Sequence, residues 1–308
     1  MRQITDTILM IKPANFRYNE ETAQNNHFQD ASGKEEITEI HKSALTEFEA
    51  MVSTLKSHGI NVVVIDDTAT PKKPDAIFPN NWFSTHQNGI IIQYPMYAPN
   101  RRHERREDIL KKLEADFGFN KTYDFNYYEE DGQFLEGTGS MILDRVNRIN
   151  YACLSPRTSV QILSKFSILM SYEAVHFTAK DDSANDIYHT NVMMSVGEDI
   201  VVICSECIDE EDRPRVLAKL TVTGKTIVHI TPDQMNRFAG NMLEVENVNG
   251  QRFIIMSQTA YKSLTKEQIE TISQFNTILS IPIDTIEKYG GGSVRCMMAE
   301  IFPPEPKK

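Results

Sequence analysis

Ser140-Met141-Ile142-Leu143, Ile149-Asn150-Tyr151-Ala152-Cys153-Leu154, the run Ser159 to Leu169, and Ala174-Val175-His176-Phe177 follow one another in the order strand, strand, helix, strand. The order recurs downstream. Strands at Val192–Ser195 and Ile200–Cys204 precede a helix near Arg213–Thr221 and a strand at Thr226–Ile230. Strands at Met242–Glu246 and Phe253–Met256 precede a helix near Lys266–Thr271 and a strand at Thr277–Ile281. Upstream, Thr7–Lys12 reads as a strand. Ile37, Ile40, Ala44, Leu45, Phe48, Met51, Val52 and Leu55 give Glu35–Ser57 helical spacing, Gly59 stops it, and Asn61–Ile65 is a β-branched strand. Strands near Ile77–Ser84 and Gly89–Tyr94 then lead to a helix at Arg105–Phe117. One α/β unit repeated at similar length predicts a radial or solenoid-like assembly rather than a doubly wound sheet. No Pro/Gly/Ser-rich linker divides the chain, so residues 1–308 read as one domain, with 303–308 as a frayed tail.

The composition narrows the class of function. The net charge of −11 over 308 residues disfavours a nucleic-acid partner, because no broad basic surface offsets phosphates. The one basic cluster, Arg101-Arg102-His103-Glu104-Arg105-Arg106, is interleaved with acids and reads as a solvated helix face. Four cysteines, Cys153, Cys204, Cys207 and Cys296, are too few for a disulfide scaffold and fit a reducing compartment. Cys204 reads as a strand-end core residue and Cys207 as a loop residue. The apolar run Ile8–Ile11, closed by Lys12-Pro13, is too short for a signal-peptide core, and no run approaches a membrane span. The expectation is a cytoplasmic protein with a small-molecule partner, no membrane partner, and a surface compatible with a homo-oligomer.

Four segments carry chemistry. Gly290-Gly291-Gly292-Ser293-Val294-Arg295-Cys296 places a cysteine after a glycine turn, where open approach and backbone N–H groups would suit a nucleophile. In Leu135-Glu136-Gly137-Thr138-Gly139-Ser140 a carboxylate precedes two glycines and a strand. In Tyr188-His189-Thr190-Asn191 a histidine enters an apolar strand, with Asn191 two residues on and on the same face. Phe78-Pro79-Asn80-Asn81-Trp82-Phe83 surrounds the only tryptophan.

In this order, with Cys296 last, the segments resemble the guanidine-modifying enzymes of the pentein superfamily, such as arginine deiminase, agmatine deiminase, dimethylarginine hydrolase and glycine amidinotransferase. The likeness covers nearly the whole chain. It is strongest to a bacterial branch of citrulline-utilisation hydrolases, also described as amidinotransferase-like, through Ile11-Lys12-Pro13-Ala14-Asn15-Phe16 and Pro79-Asn80-Asn81-Trp82-Phe83. It implies a five-bladed α/β propeller of strand-strand-helix-strand units with a central site. It also implies Cys296 as nucleophile, His189 as general acid and base, and Glu136 as the group that holds His189. Asn81 and Asn191 stand where arginine deiminases carry guanidinium-binding aspartates. Ser155-Pro156-Arg157-Thr158 resembles a segment whose arginine holds a substrate carboxylate. Arg295 is a second candidate for that role, and Asn25 and Asn26 are candidate pocket residues.

The chemistry fits these residue types. An amidine or ureido carbon is a poor electrophile, and thiolate attack followed by loss of an amine splits its hydrolysis into two easier steps. A histidine moves the protons, and neither a metal nor another cofactor is implied. Asn81 and Asn191 are neutral and both donate and accept, which suits a ureido group better than a guanidinium. A citrulline-like substrate is therefore expected. The rivals are an arginine or methylarginine hydrolase, an amidinotransferase, and a non-catalytic pentein binding module.

Overall fold

The computed structural model describes residues 1–30, 32 and 35–305; the last three residues of the expected tail, 306–308, lie outside the described residues. Among the described residues fifteen strands, β1 to β15, form five three-stranded sheets. The first blade holds β1 (Thr7–Lys12) and β2 (Asn61–Asp66). The second holds β3 (Phe83–His86), β4 (Ile90–Gln93) and β5 (Lys121–Asp124), and the third holds β6 (Ile142–Asp144), β7 (Ile149–Cys153) and β8 (Glu173–Phe177). The fourth holds β9 (Met194–Val196), β10 (Ile200–Ile203) and β11 (Thr226–His229), and the fifth β12 (Leu243–Glu246), β13 (Arg252–Ser257) and β14 (Thr277–Ile281). β15 (Ala299–Ile301) completes the first blade, pairing antiparallel with β1.

Every blade has one pattern. Its leading strand pairs antiparallel with the middle strand, and the middle strand pairs parallel with the last. A parallel neighbour needs a crossover, and a helix supplies it each time: Ile37–Ser57, Glu107–Phe117, Val160–Met170, Arg213–Thr221 and Lys266–Ser273. The helix Ile37–Ser57 buries Ile40, Ala44, Phe48, Met51 and Leu55, a stripe of three- and four-residue steps that faces the core. The leading strands turn inward and neighbour one another, β15 against β3, β6 against β9, and β9 against β12. This is the expected five-bladed propeller.

Four details differ from the sequence reading. The expected strand Val192–Ser195 begins inside the helical turn Thr190–Met193, and β9 starts only at Met194. Lys121–Asp124 was not expected as a strand; its side chains are mostly exposed, so it lacks the apolar signal of a core strand. β15 was not expected as a strand either; at three residues it is too short to show a period. The expected strand Ile77–Ser84 divides into a turn at Pro79–Asn81 and a strand that begins at Phe83, because Pro79 opens a 3-10 turn.

Candidate active site

The polar residues converge because they occupy one position in the repeat, the short turn ahead of each leading strand. Asn81 ends the turn Pro79–Asn81 before β3. Glu136 caps the helical turn Gly137–Ser140 before β6. His189 caps the turn Thr190–Met193 before β9. Asn191 therefore sits within that turn, and not on a strand face shared with His189 as the sequence reading had it. Cys296 lies in the turn before β15.

The glycines make the convergence sterically feasible. Gly137 has φ +47°, and a Cβ there would lie 2.4 Å from the Asn80 carbonyl. A Cβ on Gly139 would lie 2.3 Å from Asn81 Nδ2 and 2.8 Å from His189 Nδ1. Gly290 and Gly292 pack against the Phe78 ring, and Gly291, at φ +61°, packs against Asn26 and Gln29. The glycine turn thus serves close packing, a different purpose from the open approach expected of it. Nor does the Cys296 amide reach its own sulfur, since it donates to Ser293 O at 3.0 Å.

Glu136 is fully buried. Its Oε1 accepts from the Tyr97 amide at 2.9 Å, and its Oε2 accepts from His189 Nε2 at 2.7 Å and Arg157 Nη1 at 3.5 Å. Burial alone would raise its pKa, but Arg157, the His189 hydrogen bond and Arg101 outweigh that and hold the carboxyl well below the usual range. His189 is pushed down to about 4, by burial first and by Arg157 and Arg101, against the pull of Glu136. It is the neutral imidazole at neutral pH, with one nitrogen engaged by Glu136 and the other available for proton transfer.

Cys296 Sγ accepts two side-chain hydrogen bonds, from Asn191 Nδ2 at 3.3 Å and from Asn241 Nδ2 at 3.4 Å. Arg157 stacks on Tyr188 at 4.9 Å and donates through Nη2 to Thr22 O at 2.9 Å and through Nε to Asn25 Oδ1 at 2.8 Å. Asn26 donates to Gly291 O at 3.2 Å, so the loop 19–30 roofs the site.

Arg101 and Glu104 overturn the expectation of a solvated basic face. Both are buried, joined through two hydrogen bonds of 2.8 and 2.9 Å, and Arg101 Nη1 donates to Asn81 Oδ1 at 3.0 Å. Burial raises Glu104 to about 7 against the pull of Arg101. Glu104 three residues beyond Arg101 was the available signal. Asp75, also missed, is buried 3.9 Å from Arg101 and accepts from Asn19 Nδ2 at 2.7 Å and Thr22 Oγ1 at 3.1 Å.

Arg295 departs from the sequence reading. It pairs with Glu300 at 2.6 Å and lines a separate cavity with Gln3 and Leu143, because adjacent residues of the turn point to opposite sides. Cys204 follows its strand as expected, but Cys207 is buried in a 3-10 turn, its sulfur 3.2 Å from that of Cys204. Burial pushes Cys153 up to about 12, as for an inert core thiol.

Asp75, Asn81, Arg101, Arg157, His189 and Cys296 share one cavity of about 10 Å³, with room for about one water. Close to it Asp75 Oδ1, Asn81 Nδ2, Asn191 Oδ1 and both polar atoms of Asn80 are buried without partners among the described residues. Buried polar atoms are rarely left unpaired. Here Asp75 and Asn81 line the cavity itself, where a bound molecule would meet them, while Asn80 precedes Asn81 in its turn and Asn191 is bonded to the lining residue Cys296.

Comparisons with known proteins agree with this architecture. The family model described as "N,N dimethylarginine dimethylhydrolase, eukaryotic" matches residues 12–303. The apo structure of ArgZ, an arginine dihydrolase from the ornithine-ammonia cycle in Cyanobacteria, superposes with a TM-score of 0.74 at 18% identity, covering 97% of this chain and 41% of that chain. This chain therefore spans less than half the length of ArgZ. The N-terminal domain of ArgZ in substrate-bound form gives a TM-score of 0.71 at 18% identity over 97% of this chain and 98% of that one. A dimethylarginine dimethylaminohydrolase, solved as an adduct with S-methyl-L-thiocitrulline, gives 0.64 at 13% identity over 97% and 100%. No curated protein matches the chain.

Proposed function

The chain belongs to the family described as N,N dimethylarginine dimethylhydrolase, eukaryotic, among the guanidine-modifying hydrolases of the pentein superfamily, and we propose that its own substrate is a ureido amino acid of the citrulline type. One observation carries this reading. Asn81 Oδ1 already accepts from Arg101, which turns Asn81 Nδ2, buried and unpartnered, into the free end of the amide. A free donor calls for an acceptor. A ureido oxygen is one, whereas a guanidinium has only N–H groups to offer. Asn191 Oδ1 is buried and unpaired on the amide that donates to Cys296 Sγ, and in this reading it accepts a ureido N–H.

In this reading Cys296 Sγ bonds to the ureido carbon as the thiol proton passes to neutral His189. His189 then gives that proton to the departing nitrogen as the C–N bond breaks, leaving a thiocarbamate on sulfur. Water, deprotonated by His189, attacks the same carbon, the C–S bond breaks, and the sulfur recovers its proton. Glu136 holds the imidazole and supports its transient charge. Arg157 takes the substrate carboxylate by exchanging its bonds to Thr22 and Asn25, and Asp75 Oδ1 takes the ammonium. A neighbouring structure, the N-terminal domain of ArgZ covalently bound to a reaction intermediate, supports the covalent route.

The test is turnover of citrulline against arginine by the purified protein, with intact mass after acid quench. Citrulline should be the better substrate, and its adduct should vanish in Cys296→Ser. Faster turnover of arginine would sink the ureido reading. A second reading, hydrolysis of arginine or a methylated arginine, draws support from those neighbours and from Asp75 Oδ1 and Asn80 Oδ1, which are unpaired acceptors. Transfer to an amine in place of water would show as guanidinoacetate when arginine and glycine are supplied together.

A further inference from the structure

Four of the five blades place a chemically assigned residue on the turn before the leading strand: Asn81, Glu136, His189 with Asn191, and Cys296. The fifth leading strand begins at Leu243, and two residues ahead of it stands Asn241, buried at 1% exposure. Its carboxamide is held on three sides. Oδ1 accepts from the Arg295 amide at 3.0 Å, while Nδ2 donates to Asn191 O at 2.9 Å and to Cys296 Sγ at 3.4 Å. The Arg295 amide can only donate, so it identifies the oxygen of the carboxamide and turns the NH2 toward the sulfur. Gly240 allows the approach, because a Cβ there would lie 2.4 Å from Val192 O.

We propose that Asn241 is a further catalytic residue, donating to the Cys296 sulfur jointly with Asn191 so that two neutral amides support the charge left when the thiol proton departs. The inference rests on Cys296 being the nucleophile, but not on which substrate it attacks. Among the described residues the sulfur's side-chain hydrogen-bond partners are the neutral amides of Asn191 and Asn241, and its own amide is spent on Ser293 O. Hydrogen bonds to a charged atom are stronger than neutral ones, and two converging on one sulfur form a small anion cradle.

The experiment is the rate at which iodoacetamide alkylates Cys296 without substrate, followed by intact mass from pH 6 to 10, with Cys296→Ser as the blank. In Asn241→Ala the rate near pH 7 should fall about tenfold or more, as expected for loss of one hydrogen bond to a charge. It should return to within about twofold of the native rate at pH 10, where the bulk supplies the driving force for ionisation. Asn191→Ala removes the other donor while leaving the Arg295 bond intact, and carries the same expectation if Asn241→Ala does not fold. A native rate near pH 7 would overturn the proposal, as would an equal slowing at every pH, which marks lost access rather than lost support of charge. Because no substrate is present, failure of the citrulline reading leaves this result unchanged, and a failed cradle leaves the substrate comparison unchanged.

Discussion

Asn81 concentrates the question of specificity in one amide. Replacing it by aspartate keeps the bond to Arg101 and substitutes an oxygen for the free N–H. A ureido oxygen would then face a carboxylate, while a guanidinium would gain a partner. In Asn81→Asp, kcat/KM for citrulline should fall at least about tenfold and the arginine-to-citrulline ratio should rise, measured by ornithine or ammonia release. His189 carries a pH signature. Its folded value of about 4 lies below the unfolded value of about 6.5, so its contribution to stability is complete above pH 6.5 and drains away as pH falls toward 4. Native protein should lose roughly 3 kcal/mol more than His189→Gln over that interval in urea titrations. Cys296, His189 and Glu136 were readable as candidates because glycines or apolar runs framed a reactive side chain, and the structure sets His189 against Glu136 and on one cavity with Cys296. Asn241 was not. An uncharged amide between Gly240 and Met242 carries no local signal, and only the register of the fifth blade shows where it points. Arg101 was misread because charge runs usually face water, and its burial depends on Glu104 and Asn81, the latter twenty residues earlier in the chain.

The loop 19–30 is the element on which access depends. Asn26 and Gln29 tie it to the carbonyls of Gly290 and Gly291, and Thr22 and Asn25 tie it to Arg157. A cavity of about 10 Å³ is far smaller than an amino acid, so the proposed substrate requires the loop to shift. A hollow of about 320 Å³ on its other side, lined by Arg17, Glu20 and Asn100, shares with it the Asn19 that also donates to Asp75. Removing the ties in Asn26→Ala/Gln29→Ala should speed amide hydrogen exchange across residues 19–30 about tenfold or more, with melting changed by only a few degrees. Unchanged exchange would mean that other contacts hold the roof. At this scale the helices and most strands were readable from periodicity. The turns ahead of the leading strands were not, because one helical turn of Gly, Thr and Asn is too short to show a period.

For the whole molecule, the alternation of strand, strand, helix and strand was enough to indicate a radial fold. What it did not reveal is the joint. β15 lies beside β1, so the first blade is built from both ends of the described chain. Ile301 is fully buried, Thr85 Oγ1 donates to Glu300 O at 2.9 Å, and the Phe302 amide returns a bond of 2.8 Å to Thr85. Ile301→Ala should therefore cost about 2–5 kcal/mol in urea unfolding, as for other buried truncations, and not the few tenths of a terminal residue. The joint also has a consequence in time. Synthesis runs from the N-terminus, so Asn81, Glu136, His189 and Asn241 all leave the ribosome before Cys296, and the strand that seats the thiol follows it. A nascent chain can therefore complete four of the five blades before Cys296 and the strand that follows it are added to close the first.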